Sequence, residues 1–255
     1  MSTPELFHFK VSHFNEKARW ALDYKGVSHV RHSLLPGPHK PRMQRISGQA
    51  QVPVLKEGNE VVAGSGPIIE YLEARYPEPP LYPRDSTARK RALEIQARFD
   101  AEVGPAIRLA MFDEMLRDPP YFASMFTTDR GMLVRLGYRL IFPGVRSLMR
   151  REMKINPQNA ERALARTREA FDFVAKESRA TGYLAGDRFS VADLTAAALL
   201  APGVEIDPSP FAYPKPFPPS LRGWWSRWRD HPSTAWVRGI FDRHRGLSCE
   251  AGSAA

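Results

Sequence analysis

The sequence predicts an α+β protein in two parts, an N-terminal part in which strands and helices alternate and an all-helical part behind it. Strand and helix patterns alternate up to about Tyr76, and strand patterns then cease. A proline-rich stretch between Pro77 and Pro83 separates the two regions as a stiff linker. With 255 residues, the chain is long enough for about two domains.

The first elements follow from hydrophobic spacing and from glycine and proline positions. A short apolar run at 6–9 predicts a strand, and apolar residues at three-to-four spacing from Phe14 onward predict a helix that ends at Gly26. A second strand is expected at about 28–34. The dense prolines of 36–41 then predict a loop or a short helix.

A hairpin and a helix complete the N-terminal part. The runs 52–55 and 60–63 flank a Glu-Gly-Asn turn and are typical of two antiparallel strands. A helix from Ser65 to Tyr76 is stopped by Pro77. The order is therefore βαβαββα, which is the order of a thioredoxin-like domain, and we assign it to residues 1–77.

The second part contains helix patterns. After a linker at 78–86, an all-helical domain is expected at 87–246 and a flexible tail at 247–255. Its first long helix contains Pro105, which predicts a kink. Later helices have clear start signals: Asn156 followed by Pro157, and a Ser-x-x-Asp capping box from Ser190 to Asp193.

Cysteine content and hydropathy exclude several classes of protein. Cys249 is the single cysteine, so intrachain disulfides and cysteine-based metal sites are excluded, and the sequence argues against catalysis by a protein thiol. We expect no metal cofactor. The sequence has neither the long apolar run of a membrane span nor a signal peptide, so we expect a cytoplasmic protein.

The net charge of +9 would favour acidic partners. Basic residues are densest in one helical stretch: Arg130, Arg135, Arg139, Arg146, Arg150, Arg151 and Lys154. They alternate with apolar residues, which favours a solvated helix face. An anion-attracting pocket rim and a membrane or nucleic-acid contact stay open as alternatives, but no nucleic-acid motif is present and we expect no such partner.

Three stretches of the chain together form a family pattern. The first, Ser12-His13-Phe14-Asn15-Glu16-Lys17-Ala18-Arg19, opens the first predicted helix. The second is Gln51-Val52-Pro53-Val54-Leu55, continued by residues 64–72, and the third is the capping box at 190–193. In this order and spacing they resemble the cytosolic glutathione-transferase superfamily, up to about Arg245. The resemblance implies the glutathione-transferase fold, with a thioredoxin-like glutathione-binding domain followed by an all-α domain.

Ser12 is the first candidate catalytic residue. A thiol with a pKa of ~8.5 is mostly protonated at neutral pH, and only its thiolate attacks electrophiles well. Ser12 stands at the start of a helix, where its hydroxyl and the helix dipole could stabilise that anion. The alternative is that Ser12 only caps the helix. Asn15 ranks second, because its amide could also polarise a thiol.

The resemblance assigns further residues to glutathione as co-substrate. Pro53 resembles the family's cis-proline, which exposes the backbone of Val52 to the cysteinyl part of glutathione, and Ser65 resembles the residue that holds the γ-glutamyl carboxylate. Gly64 departs from the family, which usually has Glu, Asp or Gln there to hold the γ-glutamyl ammonium. Losing that contact could weaken glutathione binding by ~1.5–3 kcal/mol.

Other residues are candidates for the two ends of the ligand site. His39, Lys40 and Gln51 could neutralise the glycyl carboxylate and frame the thiol end. The candidates for the second-substrate pocket are apolar residues that could equally be core or dimer contacts: Phe14, Met111, Phe112, Met115, Met132 and Tyr138.

The predicted function is a glutathione transferase that joins the glutathione thiolate to a small apolar electrophile, with Ser12 stabilising the thiolate and a homodimer as the expected assembly. The alternative is a non-catalytic binding protein of the same fold for an anionic ligand or a protein partner, which Gly64 and the positive charge favour. A thiol-disulfide or dehydroascorbate-type reductase is disfavoured, because position 12 is not cysteine.

Overall fold

A computed structural model of the chain describes residues 2–251. Four strands form one sheet: β1 Glu5–His8, β2 Val30–Ser33, β3 Val54–Glu57 and β4 Glu60–Ala63. Their order is β2-β1-β3-β4, with β1 parallel to β2 and antiparallel to β3, and with β3 antiparallel to β4. Two helices connect strands, α1 His13–Tyr24 and α2 Lys40–Ser47, and α3 Ser65–Arg75 follows β4. The predicted βαβαββα order and the fold class are confirmed.

The second half of the described chain contains eight α-helices, and the strand pattern does not continue into it. These helices are α4 Ser86–Arg98, α5 Gly104–Met115, α6 Pro119–Met125, α7 Met132–Glu152, α8 Pro157–Glu177, α9 Val191–Leu200, α10 Pro219–Ser226 and α11 Pro232–His244. Two predicted helix starts are confirmed. Asn156 accepts a hydrogen bond from the Asn159 amide, and Ser190 and Asp193 form the full capping box at the start of α9.

The irregular point in the first long helical stretch lies just before Pro105. Residues Phe99–Val103 form a π-helical turn between α4 and α5. Proline has no amide to continue the helical ladder, which accounts for an irregularity one turn upstream. At the same point α5 contacts α1 closely, since a Cβ added to Gly104 would lie 2.4 Å from Phe14 Cζ. Glycine is therefore required where the two halves meet.

Buried charges also join α1 to the helical half. The ammonium of Lys17 is fully buried and lies 2.6 and 2.7 Å from the two carboxylate oxygens of Asp100. Arg245, which follows α11, donates to Glu16 and to Asp23 of α1 at 2.5 and 2.9 Å. These contacts hold α1 against the helical half from its first turn to its last turn. The start of α1 is therefore held against the helical half as well.

The structure differs from the sequence-based expectation at the end of the chain. Of the predicted tail, residues 252–255 lie outside the described part, but Cys249 and Ala251 donate backbone hydrogen bonds to Asp23 and His29, both at 2.8 Å. The described part of the tail is therefore docked against the first domain.

Arg135 and Arg139 are exposed on α7, but the apolar side chains of Leu133 and Leu140 are also exposed there, at 81% and 77%, so this is not the polar face that the solvated-helix interpretation expects. Between residues 2 and 251, no helix is both long and apolar enough to cross a membrane.

Candidate active site

A cavity of about 590 Å³ opens between the start of α1 and helices α5, α6 and α7. The N-terminal half contributes Phe9, Ser12 and Val52 to its wall, and Arg108 of α5 lies in the wall contributed by the helical half. The apolar part of the wall is formed by Val11, Met111, Phe112, Met125, Phe126 and Met149. This volume and this lining suit a small organic ligand with a largely apolar body.

Ser12 lies in the cavity wall at the start of α1. Its backbone is extended, with φ −96° and ψ 127°, and its carbonyl accepts the Glu16 amide at 2.9 Å, so the helix begins here. Within residues 2–251, however, its side chain makes no capping hydrogen bond. The hydroxyl can therefore donate to a ligand, and the unpaired amides of the first turn add positive potential beside it.

Asn15 does not line this cavity. It is fully buried, and its side-chain oxygen accepts the Phe9 amide at 3.3 Å. Its side-chain nitrogen has no hydrogen-bond partner among the described residues. The contact with Phe9 orders the loop between β1 and α1. In this geometry Asn15 supports the backbone beside Ser12, and its role toward a thiol stays a prediction.

The loop before β3 and the start of α3 lie together. The Val52–Pro53 peptide bond is cis, and the Gly64 amide donates to the Pro53 carbonyl at 2.9 Å. Ser65 is the first residue of α3 and is buried. Gly64 has φ +97° and ψ 145°, a conformation that costs little only for glycine. The glycine that stands at position 64 in place of the family's usual Glu, Asp or Gln is therefore also the residue that this backbone conformation favours.

The three residues predicted for the glycyl end all line the cavity: His39, Lys40 and Gln51. Nε2 of His39 donates to the Ala50 carbonyl at 2.9 Å, and burial lowers the pKa of His39, which keeps the ring neutral at physiological pH. Lys40 Nζ lies 2.5 Å from Glu152 Oε1 of α7. Lys40 is therefore neutralised by an acid of the helical half.

The predicted second-substrate residues separate into two groups. Met111 and Phe112 line the cavity. Phe14 packs against Gly104 at the base of α5, and Met115 is fully buried in the core. These two side chains support the wall from behind, because the apolar face of a helix also packs the core.

Two residues of α7 differ from the prediction. Met132, the first residue of α7, is 80% exposed and does not contribute to the cavity. Tyr138 is buried, and its hydroxyl donates to the Pro36 carbonyl at 3.2 Å, so it ties α7 to the first domain. The second half of α7 reaches the cavity instead, through Val145 and Met149. Apolar periodicity marks α7 as amphipathic but does not show which turn faces the ligand.

Sequence reasoning missed Arg108 and His13. Arg108 is the single charged residue in the apolar run from Val103 to Phe112, and that isolation was the available signal. Its guanidinium carbon lies 5.7 Å from the centre of the Phe14 ring. Nε2 of His13 donates to the Gly104 carbonyl at 2.9 Å, while burial, with a smaller contribution from the charge of Arg108, lowers the pKa of His13 to about 3. His13 is therefore neutral at physiological pH.

Both parts of the chain match domains of one known protein family. Residues 6–80 match the N-terminal domain of glutathione S-transferases, and residues 139–232 match the C-terminal domain of the same family. The chain belongs to the glutathione S-transferase family. A glutathione S-transferase from Rhodospirillum rubrum has this fold with a TM-score of 0.65 at 19% identity, covering 95% of this chain and 89% of that one.

Curated relatives match a shorter stretch of the chain. Glutathione S-transferase 1 of Dianthus caryophyllus is 38% identical over 96 residues, which are 36% of this chain and 42% of the relative. A maleylpyruvate isomerase of a Ralstonia species is 32% identical over 104 residues, which are 40% of this chain and 49% of the relative. The matched stretch thus spans less than half the length of these two relatives.

Proposed function

We propose that this chain is a glutathione transferase in which Ser12 stabilises the glutathione thiolate and directs it at a small electrophile with a largely apolar body. The observation that carries the proposal is the Ser12 side chain, which makes no capping hydrogen bond to any described residue although it stands at a helix start, in the wall of a cavity. Relatives named glutathione S-transferase support the same activity.

The chemistry requires a modest stabilisation of an anion. Lowering the thiol pKa by about two units takes ~2.7 kcal/mol, which one or two hydrogen bonds to a charged group supply. The thiolate sulfur then forms a bond to the electrophilic carbon, and the displaced electron pair leaves with a leaving group or moves onto a conjugated carbonyl. The Ser12 hydroxyl donates to sulfur before this step and keeps its own proton.

Glutathione itself would lie along the edge of the first domain. The backbone of Val52, beside the cis peptide bond, would pair with the cysteinyl part, and Ser65 at the positive end of α3 would hold the γ-glutamyl carboxylate. Gly64 offers no acid for the γ-glutamyl ammonium. Asp100 can take that role, because its Oδ2 lies 3.1 Å from where a Cβ on Gly66 would stand, against the first turn of α3.

Calorimetric titration of the purified protein with glutathione, at low and moderate salt, tests the proposal. We expect sub-millimolar binding that Ser65→Ala weakens by about tenfold, since one hydrogen bond to a charged group is lost. Ser147→Ala, on the exposed side of α7, is the matched control and should bind like the parent.

Absence of detectable glutathione binding would contradict the proposal and favour the non-catalytic binding protein. The homodimer and the cytoplasmic location implied by the family stay predictions, and light scattering of the purified protein measures the first of them.

A further inference from the structure

Arg108 is a guanidinium in the cavity wall without an acidic partner. Its Nε atom is buried and has no hydrogen-bond partner within residues 2–251. No ion pair to Arg108 exists in that part of the chain either, and burial alone lowers its pKa. The residue as a whole is partly exposed at the cavity, so the cost falls mainly on the buried Nε side of the guanidinium. A ligand that displaces the cavity water would have to supply a partner for this charge, because a charge without water or a partner is costly.

The rest of the cavity does not compensate this charge. Glu152 is the one acid among the described lining residues, and Lys40 already neutralises it at 2.5 Å. His13 and His39 are neutral, because burial lowers the pKa of each. The cavity is therefore apolar over much of its wall and carries one uncompensated positive charge, that of Arg108.

Two other roles for Arg108, packing on an aromatic ring and binding a glutathione carboxylate, explain its contacts and position less well. Packing over the Phe14 ring at 5.7 Å uses one face of the guanidinium and leaves its N–H donors without acceptors. Binding a carboxylate of glutathione is the second role. However, the positions predicted for those carboxylates lie at the start of α2 and at the start of α3, whereas Arg108 lies on α5, one turn before Met111 and Phe112.

We propose that the electrophile is an acid, whose carboxylate is bound by the Arg108 guanidinium while its apolar body lies against Met111 and Phe112. This inference rests on the proposed function and names its substrate class. Arginine suits the task because its planar N–H pairs match a carboxylate in two parallel hydrogen bonds. For an activated alkene, the thiolate sulfur bonds to the β-carbon, the alkene electron pair moves toward the carbonyl, and the α-carbon takes up a proton from solvent.

A matched pair of electrophiles tests the substrate class. Ethacrynic acid and its methyl ester share one conjugated ketone and differ only in the remote carboxylate. We expect Arg108→Met to raise KM for the acid by about 10- to 100-fold, since a charge-assisted pair is lost, and to leave KM for the ester and the affinity for glutathione unchanged. Arg108→Lys should retain part of the preference, and Arg135→Met, exposed on α7, should retain all of it.

A binding measurement keeps this test separate from catalysis. The saturated analogues of the acid and its ester cannot react, so their affinities can be measured by calorimetry with or without glutathione. The parent protein should bind the acid more tightly than the ester, and Arg108→Met should abolish the difference. Equal binding of acid and ester by the parent would overturn the inference even if glutathione conjugation is observed, whereas failure of glutathione binding alone contradicts only the proposed function.

Thermal unfolding of the ligand-free protein separates a ligand role from a structural one. Replacing a partly buried charge that has no acidic partner by an apolar side chain of similar length removes a cost, so Arg108→Met should raise the unfolding midpoint. A lower midpoint together with an unchanged preference for the acid would overturn the inference.

Discussion

The Ser12 hydroxyl is the group on which the proposed chemistry depends. Ser12→Ala should lower kcat/KM by about 10- to 100-fold, because one hydrogen bond to the thiolate is lost. The unfolding midpoint should stay unchanged, since within the described chain this hydroxyl caps nothing.

Asn156→Ala is the matched control for Ser12→Ala. The Asn156 side chain does cap α8, so its loss should lower the free energy of unfolding by about 1 kcal/mol and leave activity intact. If Ser12→Ala lost stability and kept its turnover, Ser12 would be only a helix cap.

His13 gives the protein a predictable sensitivity to acid. Its pKa in the folded state is about 3, because burial and, to a smaller extent, the charge of Arg108 lower it from the ordinary histidine value of 6.5. The unfolded chain therefore binds a proton at a higher pH than the folded chain does, and this contribution to stability is present above about pH 6.5 and is lost as pH falls toward 3.

Chemical unfolding at a series of pH values measures this effect. Between about pH 7.5 and 5, the parent should lose about 2 kcal/mol more than His13→Gln, which has no proton to take up. Parallel pH profiles for the two proteins would show that His13 is not the buried neutral base described above.

Residue identity alone could predict only part of this site. The Ser12, Pro53 and Ser65 positions follow from spacing, because helix starts and X-Pro bonds are set locally. The burial of Asn15 and the exposure of Met132 depend on how distant elements pack, and no local pattern encodes that. Arg108 was visible in the sequence as a lone charge in an apolar run, but its lack of a partner is a property of the folded chain.

At the scale of one element, the start of α3 depends on Gly64. With φ +97°, this residue has a backbone conformation that an L side chain adopts at a cost of ~1–3 kcal/mol. Gly64→Ala should lower the free energy of unfolding by that amount, as measured by chemical denaturation.

The control for the Gly64 prediction is Gly137→Ala, on the exposed side of α7, where an added Cβ meets nothing within 4 Å. It should raise the free energy of unfolding by ~0.5–1 kcal/mol, because alanine is the better helix former. Equal effects of the two substitutions would mean that the backbone at Gly64 is not strained for other residues.

Elements with their own start signals were the most predictable. The hairpin, α3, α8 and α9 follow from turn and capping residues close in sequence. α6 was not predicted, because its seven residues begin at a proline pair after Asp118 and contain too few turns for a clear period. The π-helical turn before Pro105 also needs tertiary packing, since α1 presses on Gly104 there.

At the scale of the whole molecule, the Lys17–Asp100 pair connects the two halves beside the site. The Lys17 side chain is fully buried, and both carboxylate oxygens of Asp100 accept from its ammonium. Asp100→Asn should lower the free energy of unfolding by about 3 kcal/mol, because it leaves a buried ammonium without a countercharge.

The double substitution Lys17→Met with Asp100→Leu should recover much of that stability and still lose glutathione affinity, if Asp100 receives the γ-glutamyl ammonium. Calorimetry and chemical unfolding of the two variants check both parts. A stable double variant with full glutathione affinity would remove Asp100 from the binding site.

We expect the protein to bind glutathione and to stabilise it as the thiolate through Ser12. The most direct measurement is a pH titration of the ultraviolet thiolate absorbance of glutathione bound to the parent and to Ser12→Ala. We expect a thiol pKa about two units below the free value of ~8.5 in the parent, and a return toward that value in the variant. An unshifted thiol pKa in the parent, or the same lowered pKa in both proteins, would contradict it.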